Sequence, residues 1–144
     1  MSDKYDILKL KNQLCFPLYV SAKEVVRLYK PFLDELDLTY TQYITMMAMW
    51  EHKTCNVKEL GEILFLDSGT LTPLLKKLED KGLITRTRSK EDERNLIVNI
   101  TPKGLELADK AMEIPGKVEG CVKLSKDDAE CLYKILHKLI ENVQ

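Results

Sequence analysis

Residues 56–101 decide the fold, and they read NVKELGEILFLDSGTLTPLLKKLEDKGLITRTRSKEDERNLIVNIT. In the first half of this stretch apolar residues recur at steps of three and four, which predicts two short amphipathic helices joined by a tight turn. Asn56 caps the first helix, and Asp67 or Ser68 caps the second. Gly82 is expected to be the left-handed residue just after the second helix. The two buried faces are formed by Val57, Leu60, Ile63 and Leu64, and by Leu71, Leu74, Leu75 and Leu78.

After Gly82 the pattern changes to two arms rich in β-branched residues, 83–88 and 96–100. Such arms predict a two-stranded hairpin. Its tip, 89–94, is too polar for burial and longer than a tight turn, so we expect it to project into solvent as a flap. The two predicted helices and the hairpin follow one another in the order found in a winged helix-turn-helix domain that binds DNA.

Helical patterns also precede this stretch. Thr39 is the predicted N-cap of a buried helix over about 40–52, and an amphipathic helix covers about 10–29. Pro17 either kinks this earlier helix or places its start near Phe16. Pro31 is expected to end it, with a short turn over 31–36.

Two more helices are predicted downstream of the hairpin. Thr101 and Pro102 begin the first by a cap and a first-turn proline, and we expect Pro115 and Gly116 to break it. The last helix begins at Ser125 and runs close to the C-terminus. The predicted fold class is therefore mainly α with a small β-hairpin wing (α+β).

Composition restricts the class of protein. With 144 residues, 44% hydrophobic and 31% charged, the chain suits a single folded domain and not a multi-domain enzyme. It has no apolar run of the roughly 20 residues that a membrane helix needs and no signal-peptide pattern, so we expect a cytoplasmic protein without a membrane partner. Four widely spaced cysteines and two histidines fit neither a disulfide framework nor a zinc site, and we predict no metal and no cofactor.

The candidate DNA contacts lie on the second short helix and on the hairpin. Small and hydroxylated residues at the start of the helix suit close approach to phosphates and base edges, and basic residues supply charge. On the flap, Asp92 is expected to orient the guanidinium of Arg94. The full set is Ser68, Thr70, Thr72, Lys76, Lys77, Arg86, Arg88, Asp92 and Arg94.

An ordinary surface helix with a solvated lysine pair is the alternative interpretation. From Lys76 to Arg94 there are seven basic and five acidic residues, a surplus of only two. Because the net charge of the chain is -1, any contact with phosphates depends on a local patch. Charge alone therefore favours the surface helix, and the order of the elements favours DNA binding.

One domain, 1–144, is predicted, with a DNA-binding region over about 39–101. The flanking segments, about 1–38 and 102–144, carry apolar stripes that the core of this middle region does not need. These stripes suggest that the two segments are dimerisation arms. A two-fold homodimer would place its two reading helices one DNA turn apart, roughly 34–36 Å, and would select a pseudo-palindromic operator.

Five short motifs of the chain stand out together: Asn12–Phe16, Tyr29–Pro31, Leu38–Tyr43, Leu66–Thr72 and Glu91–Arg94. In combination they resemble the MarR family of winged-helix regulators, and within it the OhrR branch that senses organic hydroperoxides. The likeness covers the chain from Leu10 to the last helix, and its most specific part is Cys15 together with Tyr29 and Tyr40.

This resemblance implies a repressor, not an enzyme, whose Cys15 reacts with an organic hydroperoxide and whose oxidised form releases DNA. In that branch the tyrosines that match Tyr29 and Tyr40 come from the partner subunit and hydrogen-bond the sulfur. Phenol donors and a helix N-terminus both stabilise a thiolate. Tyr19, one turn after Cys15, is the third candidate to stabilise the thiol, and its ring suits an organic tail.

The fate of the oxidised Cys15 depends on a second thiol. The resemblance implies an intersubunit disulfide with a cysteine in the C-terminal region, for which Cys121 is the candidate. Capping of Cys15 by a small cellular thiol is the alternative. Cys55 and Cys131 are expected to be packing residues.

Two other functions remain open at this point. The nearer one is a MarR-type regulator that a small phenolic ligand releases from DNA, with Cys15 as a packing residue. The more distant one is a thiol peroxidase, which would share the chemistry of Cys15 but would not need the winged-helix order, and the chain has no Cys-x-x-Cys motif for recycling.

Overall fold

Two short 3₁₀ turns, Asp6–Leu8 and Leu10–Asn12, lead into a long first helix, α1 (Cys15–Asp34). The computed structural model describes residues 3–144. Met1 and Ser2, which begin the predicted N-terminal arm, lie outside the described residues. The remaining elements follow in the order α2 (Tyr40–His52), β1 (Thr54–Asn56), α3 (Val57–Leu64), α4 (Ser68–Asp80), β2 (Ile84–Arg88), β3 (Leu96–Ile100), α5 (Pro102–Ala111), α6 (Ile114–Val122) and α7 (Lys126–Val143). The mainly α fold with a β wing is confirmed.

Side-chain caps begin the helices where the sequence predicts them. In the capping box of α2, the Thr39 hydroxyl accepts from the Gln42 amide and the Gln42 side chain accepts from the Thr39 amide. Asp67 starts α4 by accepting from the Thr70 amide at 2.7 Å. Each cap satisfies an amide that has no partner inside the helix. The other predicted caps, all present, are Asn56, Thr101 and Ser125.

The predictions for the two prolines of α1 have different outcomes. Pro17 lies in the first turn, where its missing amide costs no helical hydrogen bond, and the helix begins two residues earlier at Cys15. Pro31 does not end the helix, which continues to Asp34. The extra turn brings Leu33 into the core with 2% of its surface exposed. Burial of that side chain outweighs the one lost backbone bond.

A third strand joins the predicted hairpin. The sheet order is β1-β3-β2, and Cys55 on β1 pairs with Val98 on β3. Three residues carry too short a pattern to be recognised as a strand, and their partner lies more than forty residues along the chain. The wing is therefore attached through β1 to the end of α2, in addition to the pairing between its own two strands.

Pro115 and Gly116 begin a helix instead of ending one. The break after α5 falls at Met112 and Glu113, and Pro115 lies in the first turn of α6. A proline is favoured at such a position because the first-turn amides have no helical partner. The predicted break is thus displaced by a few residues, and a separate helix was missed.

The core lies between α2, α3, α4 and the sheet, and the end of α1 together with α5 and α6 adds side chains to it. Its most completely buried apolar side chains are Leu33, Met46, Met49, Leu60, Leu71, Leu75, Leu78, Ile84 and Val98. By contrast, α7 has no buried residue in the single chain. Over residues 3–144, none of the helices is both long and apolar enough to pass through a bilayer.

Candidate functional site

Helix α4 separates a buried leucine face from an exposed polar face. The leucines pack into the core, while every candidate contact on this helix is exposed. The structure therefore brings these residues together on one solvent-facing surface, the reading surface. Its members are Ser68, Thr70, Thr72, Lys76 and Lys77.

Asp67 sets the start of the reading surface. Hydrogen bonds from the backbone and side chain of Thr70 hold the pKa of the Asp67 carboxyl below its ordinary value. The negative charge lies at the positive end of the helix dipole and favours the helical start. Ser68, Gly69 and Thr70 follow directly and are all exposed.

The wing presents an exposed arginine at its tip. The Arg94 side chain is 92% exposed. Asp92 Oδ1 accepts from the Arg94 amide at 3.0 Å and from Arg94 Nε at 3.3 Å, so the carboxylate directs the guanidinium. Arg88 is also exposed and donates to the carbonyl of Glu93 at 2.9 Å, which braces the tip.

Arg86 differs from the prediction that it shares an exposed face with Arg88. Its side chain is only 19% exposed, and its Nη2 donates to Glu79 Oε1 at 3.2 Å. Its backbone amide donates to the other carboxylate oxygen of Glu79 at 2.9 Å. The Arg86 side chain is the main reason that the pKa of Glu79 lies below its ordinary value. The pair joins the last turn of α4 to β2 and fixes the wing relative to the reading surface.

Cys15 is the first residue of α1 and is exposed. The first amides of a helix have no backbone partner and can donate hydrogen bonds to a group near the helix start. Tyr19, one turn further on, is 63% exposed.

Tyr29 and Tyr40 belong to a cluster of aromatic rings that also contains Tyr43. The ring centroids of Tyr29 and Tyr40 are 5.0 Å apart, and those of Tyr29 and Tyr43 are 5.7 Å apart. Burial raises the pKa of all three phenols above the ordinary value. They therefore stay protonated and able to donate at neutral pH. Tyr43, three residues after Tyr40 on the same helix, is a buried core residue that packs against the two other rings.

The tyrosine cluster is far from the thiol of its own chain. Cys15 and Tyr29 lie fourteen residues apart within α1, which separates them by about 21 Å along the helix axis. This distance is several times that of a hydrogen bond. Any contact between such a thiol and these phenols thus needs a second copy of the chain.

The other cysteines occupy three different environments. Cys121 lies in the last turn of α6 and is exposed. Cys55 is buried beside Met49, and this burial raises the pKa of its thiol. Cys131 is exposed on α7, so within this single chain it does not have the packing role expected of it. Within residues 3–144 no group of three or more His, Cys, Asp or Glu side chains is arranged to hold a metal ion.

Comparison with known proteins gives concordant matches. The sequence family described as Transcriptional regulator SarA/Rot matches residues 27–111. The organic hydroperoxide resistance transcriptional regulator of Bacillus subtilis (strain 168) is 50% identical over 143 residues, covering 99% of this chain and 97% of that protein.

Solved structures match over the whole fold. Reduced AbfR bound to DNA superposes with a TM-score of 0.80 at 30% identity, covering 98% of this chain and 99% of that one. A disulfide form of AbfR matches with a TM-score of 0.67 at 29% identity, covering 97% and 95%. AbfR is a protein of Staphylococcus epidermidis. A cysteine-to-serine mutant of MarR from E. coli, complexed with operator DNA, has a TM-score of 0.82 at 24% identity, covering 96% and 99%, and shows the common fold.

Proposed function

We propose that this chain, which belongs to the winged-helix transcriptional regulators of the SarA/Rot and MarR type, is a homodimeric repressor. The organic hydroperoxide resistance regulators are among the proteins of this type. The repressor releases its operator when Cys15 is oxidised by an organic hydroperoxide. The observation that carries the proposal is an exposed thiol at one end of α1 and a cluster of donor phenols at the other. The organic hydroperoxide resistance regulator of Bacillus subtilis and reduced AbfR bound to DNA support the same function.

The surface of α1 supports a dimer that joins these two ends. Cys15 and Tyr29 differ by only about 40° around the helix axis, so they lie on nearly the same face. The residues between them on that face are apolar and exposed: Leu18, Tyr19, Ala22, Val25 and Val26. If two copies of α1 pack antiparallel about an axis near Ala22, Cys15 of each faces Tyr29 of the other. The small side chain of Ala22 permits close approach at this crossing.

The chemistry of the proposed sensor is a two-electron oxidation. The Cys15 thiolate attacks the terminal oxygen of the hydroperoxide; an S–O bond forms and the O–O bond breaks. Cys15 becomes a sulfenic acid, and the leaving alkoxide takes a proton and departs as an alcohol. Apolar neighbours of Cys15, Phe16 and Tyr19 among them, favour an organic tail over the small polar hydrogen peroxide.

A second thiol then attacks the sulfenic acid and releases water, leaving a disulfide. Cys121 of the partner subunit is the proposed resolving thiol, and its exposure together with the disulfide form of AbfR supports this choice. A small cellular thiol would produce a mixed disulfide with the same sulfur. Either product removes the thiolate that the phenols of Tyr29 and Tyr40 bind.

DNA is proposed to be bound by the reading surface in the major groove, with Arg94 of the wing in the adjacent minor groove. In this arrangement Arg88 braces the wing near the backbone and Asp92 orients Arg94. Arg86 contributes by holding the wing to Glu79. The homodimer presents two such surfaces to a pseudo-palindromic operator.

Titration of labelled operator DNA before and after cumene hydroperoxide tests this function. The wild type should lose affinity on oxidation and recover it with dithiothreitol, whereas Cys15→Ser should keep its affinity. Cys131→Ser, which removes another exposed thiol, is the matched control and should respond like the wild type. If Cys15→Ser still loses DNA after peroxide treatment, Cys15 is not the sensor.

Non-reducing electrophoresis identifies the resolving thiol in the same samples. Peroxide should convert the wild type and Cys131→Ser to a covalent dimer. The dimer should be absent from Cys15→Ser and Cys121→Ser. A covalent dimer in Cys121→Ser would exclude the proposed pairing.

Release of DNA by a small phenolic ligand is the second candidate function. A cavity of about 380 Å³ lies between α1 and the start of α2, beside Tyr40. Apolar side chains, Val26 and Leu33 among them, line part of it. In this case salicylate would release DNA from the wild type and from Cys15→Ser equally, and dithiothreitol would not reverse the release.

A further inference from the structure

The C-terminal end of α4 is attached to the segment that connects α1 with α2. The ammonium of Lys81, the residue after α4, donates to the backbone carbonyl of Asp37 and to Gln42 Oε1, the latter at 3.3 Å. It also forms an ion pair with Asp37 Oδ2 at 3.3 Å. Because the Asp37 side chain is 94% exposed, the ion pair contributes little, and the two hydrogen bonds are the main attachment.

The Gln42 oxygen that binds Lys81 also belongs to the cap of α2. Gln42 is 4% exposed, and its Oε1 accepts from the Thr39 amide at 3.1 Å. Tyr40, one of the two proposed sulfur-binding phenols, is the first residue of that helix. Lys81 therefore contacts the first turn of α2, which carries Tyr40.

Lys81 is also fixed to the helix that precedes it, because its amide donates to the carbonyl of Lys77 at 3.1 Å. Its own carbonyl accepts from Lys103 Nζ on α5 at 2.7 Å. A displacement of the first turn of α2 would therefore be transmitted to the end of α4 through these bonds. Since α4 spans about 18 Å, a tilt of about 5° moves its other end by about 1.6 Å, more than a hydrogen bond to DNA tolerates.

We propose that Lys81 is the positioning residue that couples the redox state of Cys15 to the orientation of the reading surface. This inference rests on the proposed function. Oxidation removes the thiolate from Tyr40, the first turn of α2 shifts with its cap, and the bonds from Lys81 to Gln42 and Asp37 pull the end of α4. Lys81 belongs neither to the reading surface nor to the proposed sensor.

The alternative is that Lys81 only stabilises the fold. A stabilising contact changes DNA affinity in both redox states by the same factor, whereas a coupling contact changes the ratio between them. The ratio of the dissociation constants of oxidised and reduced protein is therefore the quantity to measure.

The experiment compares the wild type with Lys81→Met, which keeps the length of the side chain and removes its donors. Operator affinity is measured by fluorescence anisotropy before and after cumene hydroperoxide, and the extent of Cys15 oxidation is measured by mass spectrometry. Cys15 should be oxidised to the same extent in both proteins. The oxidised-to-reduced ratio should fall by about tenfold in Lys81→Met, a typical size for a coupling between sites.

Two further variants make the result specific. Lys81→Arg can still donate to the same oxygens and should restore the ratio, while Lys110→Met, which changes an exposed lysine of α5, should leave it unchanged. Lys81→Gln, with a shorter neutral side chain, should repeat the loss and serves if Lys81→Met folds poorly. An unchanged ratio in Lys81→Met and Lys81→Gln, with equal losses of affinity in both states, would overturn the proposal. A wild type that keeps DNA after oxidation would refute the proposed function itself, and this coupling with it.

Discussion

Replacing Gly104 by alanine is expected to destabilise the protein at the joint between the wing and α5. A β-carbon at Gly104 would lie 2.3 Å from the carbonyl oxygen of Leu83 and 2.8 Å from Cγ1 of Ile100. The Leu83 oxygen is a backbone atom that already accepts from the Thr101 amide at 3.1 Å, so it cannot rotate away. The helix and the wing must separate to admit the methyl group.

The size of the effect follows from these contacts. Ordinary packing distances require a shift of about 1 Å, and forcing an extra methyl into a packed interior costs about 1–3 kcal/mol. The shift also weakens the bond from Trp50 Nε1 to the Gly104 carbonyl, at 2.8 Å, and the cap bond from the Gly104 amide to Thr101, at 3.0 Å. Each such bond contributes about 1 kcal/mol. We expect a loss of about 3 kcal/mol and a fall in Tm of about 10 °C.

Urea and thermal unfolding at a fixed protein concentration measure this loss, since the stability of a dimer depends on concentration. Gly120→Ala is the matched control, because no atom of residues 3–144 lies within 4 Å of a β-carbon at this position inside α6. It should stabilise the protein by about 0.5–1 kcal/mol through helix propensity. A Gly104→Ala variant within about 1 kcal/mol of the wild type would refute the packing argument.

Three further predictions concern the reading surface and the wing. Arg94→Ala should weaken operator binding by about 1–3 kcal/mol at fixed salt, and the control Lys110→Ala should leave it unchanged. Equal affinities of the two variants for the operator would show that Arg94 does not contact DNA. Glu79→Ala should also weaken binding in an anisotropy titration, although it removes a negative charge, because Arg86 and the wing lose their attachment; tighter binding would contradict that role. The pKa of Asp67 in the folded state lies below the ordinary 3.8. The ionised Asp67 carboxylate therefore stabilises the folded protein fully above pH 3.8, and this stabilisation disappears as the pH falls through the folded pKa. In urea unfolding at pH 6, the wild type should therefore have a larger free energy of unfolding than Asp67→Asn, and this difference should disappear on acidification. A difference that grows on acidification would contradict the predicted direction.

Local signals predicted most of the helices. The caps Thr39, Asn56 and Asp67 each bond an amide three residues ahead, so every atom of the signal lies within one turn of chain. The exposed position of the reading-surface residues was predicted from the spacing of the leucines in α4, because a buried leucine face defines the exposed face opposite to it. Strand β1 was missed because its signal is a pairing with β3, which no local pattern contains.

The sequence by itself determined most of the helices, the hairpin and their order along the chain, because these depend on residues no more than about four positions apart. The role of Cys15 stays a prediction that rests on the family resemblance. Only the tertiary structure decided that Pro31 lies within a helix, that Arg86 turns toward Glu79 and not toward solvent, and that Lys81 meets Asp37 and Gln42. These outcomes depend on the relative placement of whole elements, which the burial of the common core fixes and which no stretch of sequence encodes alone.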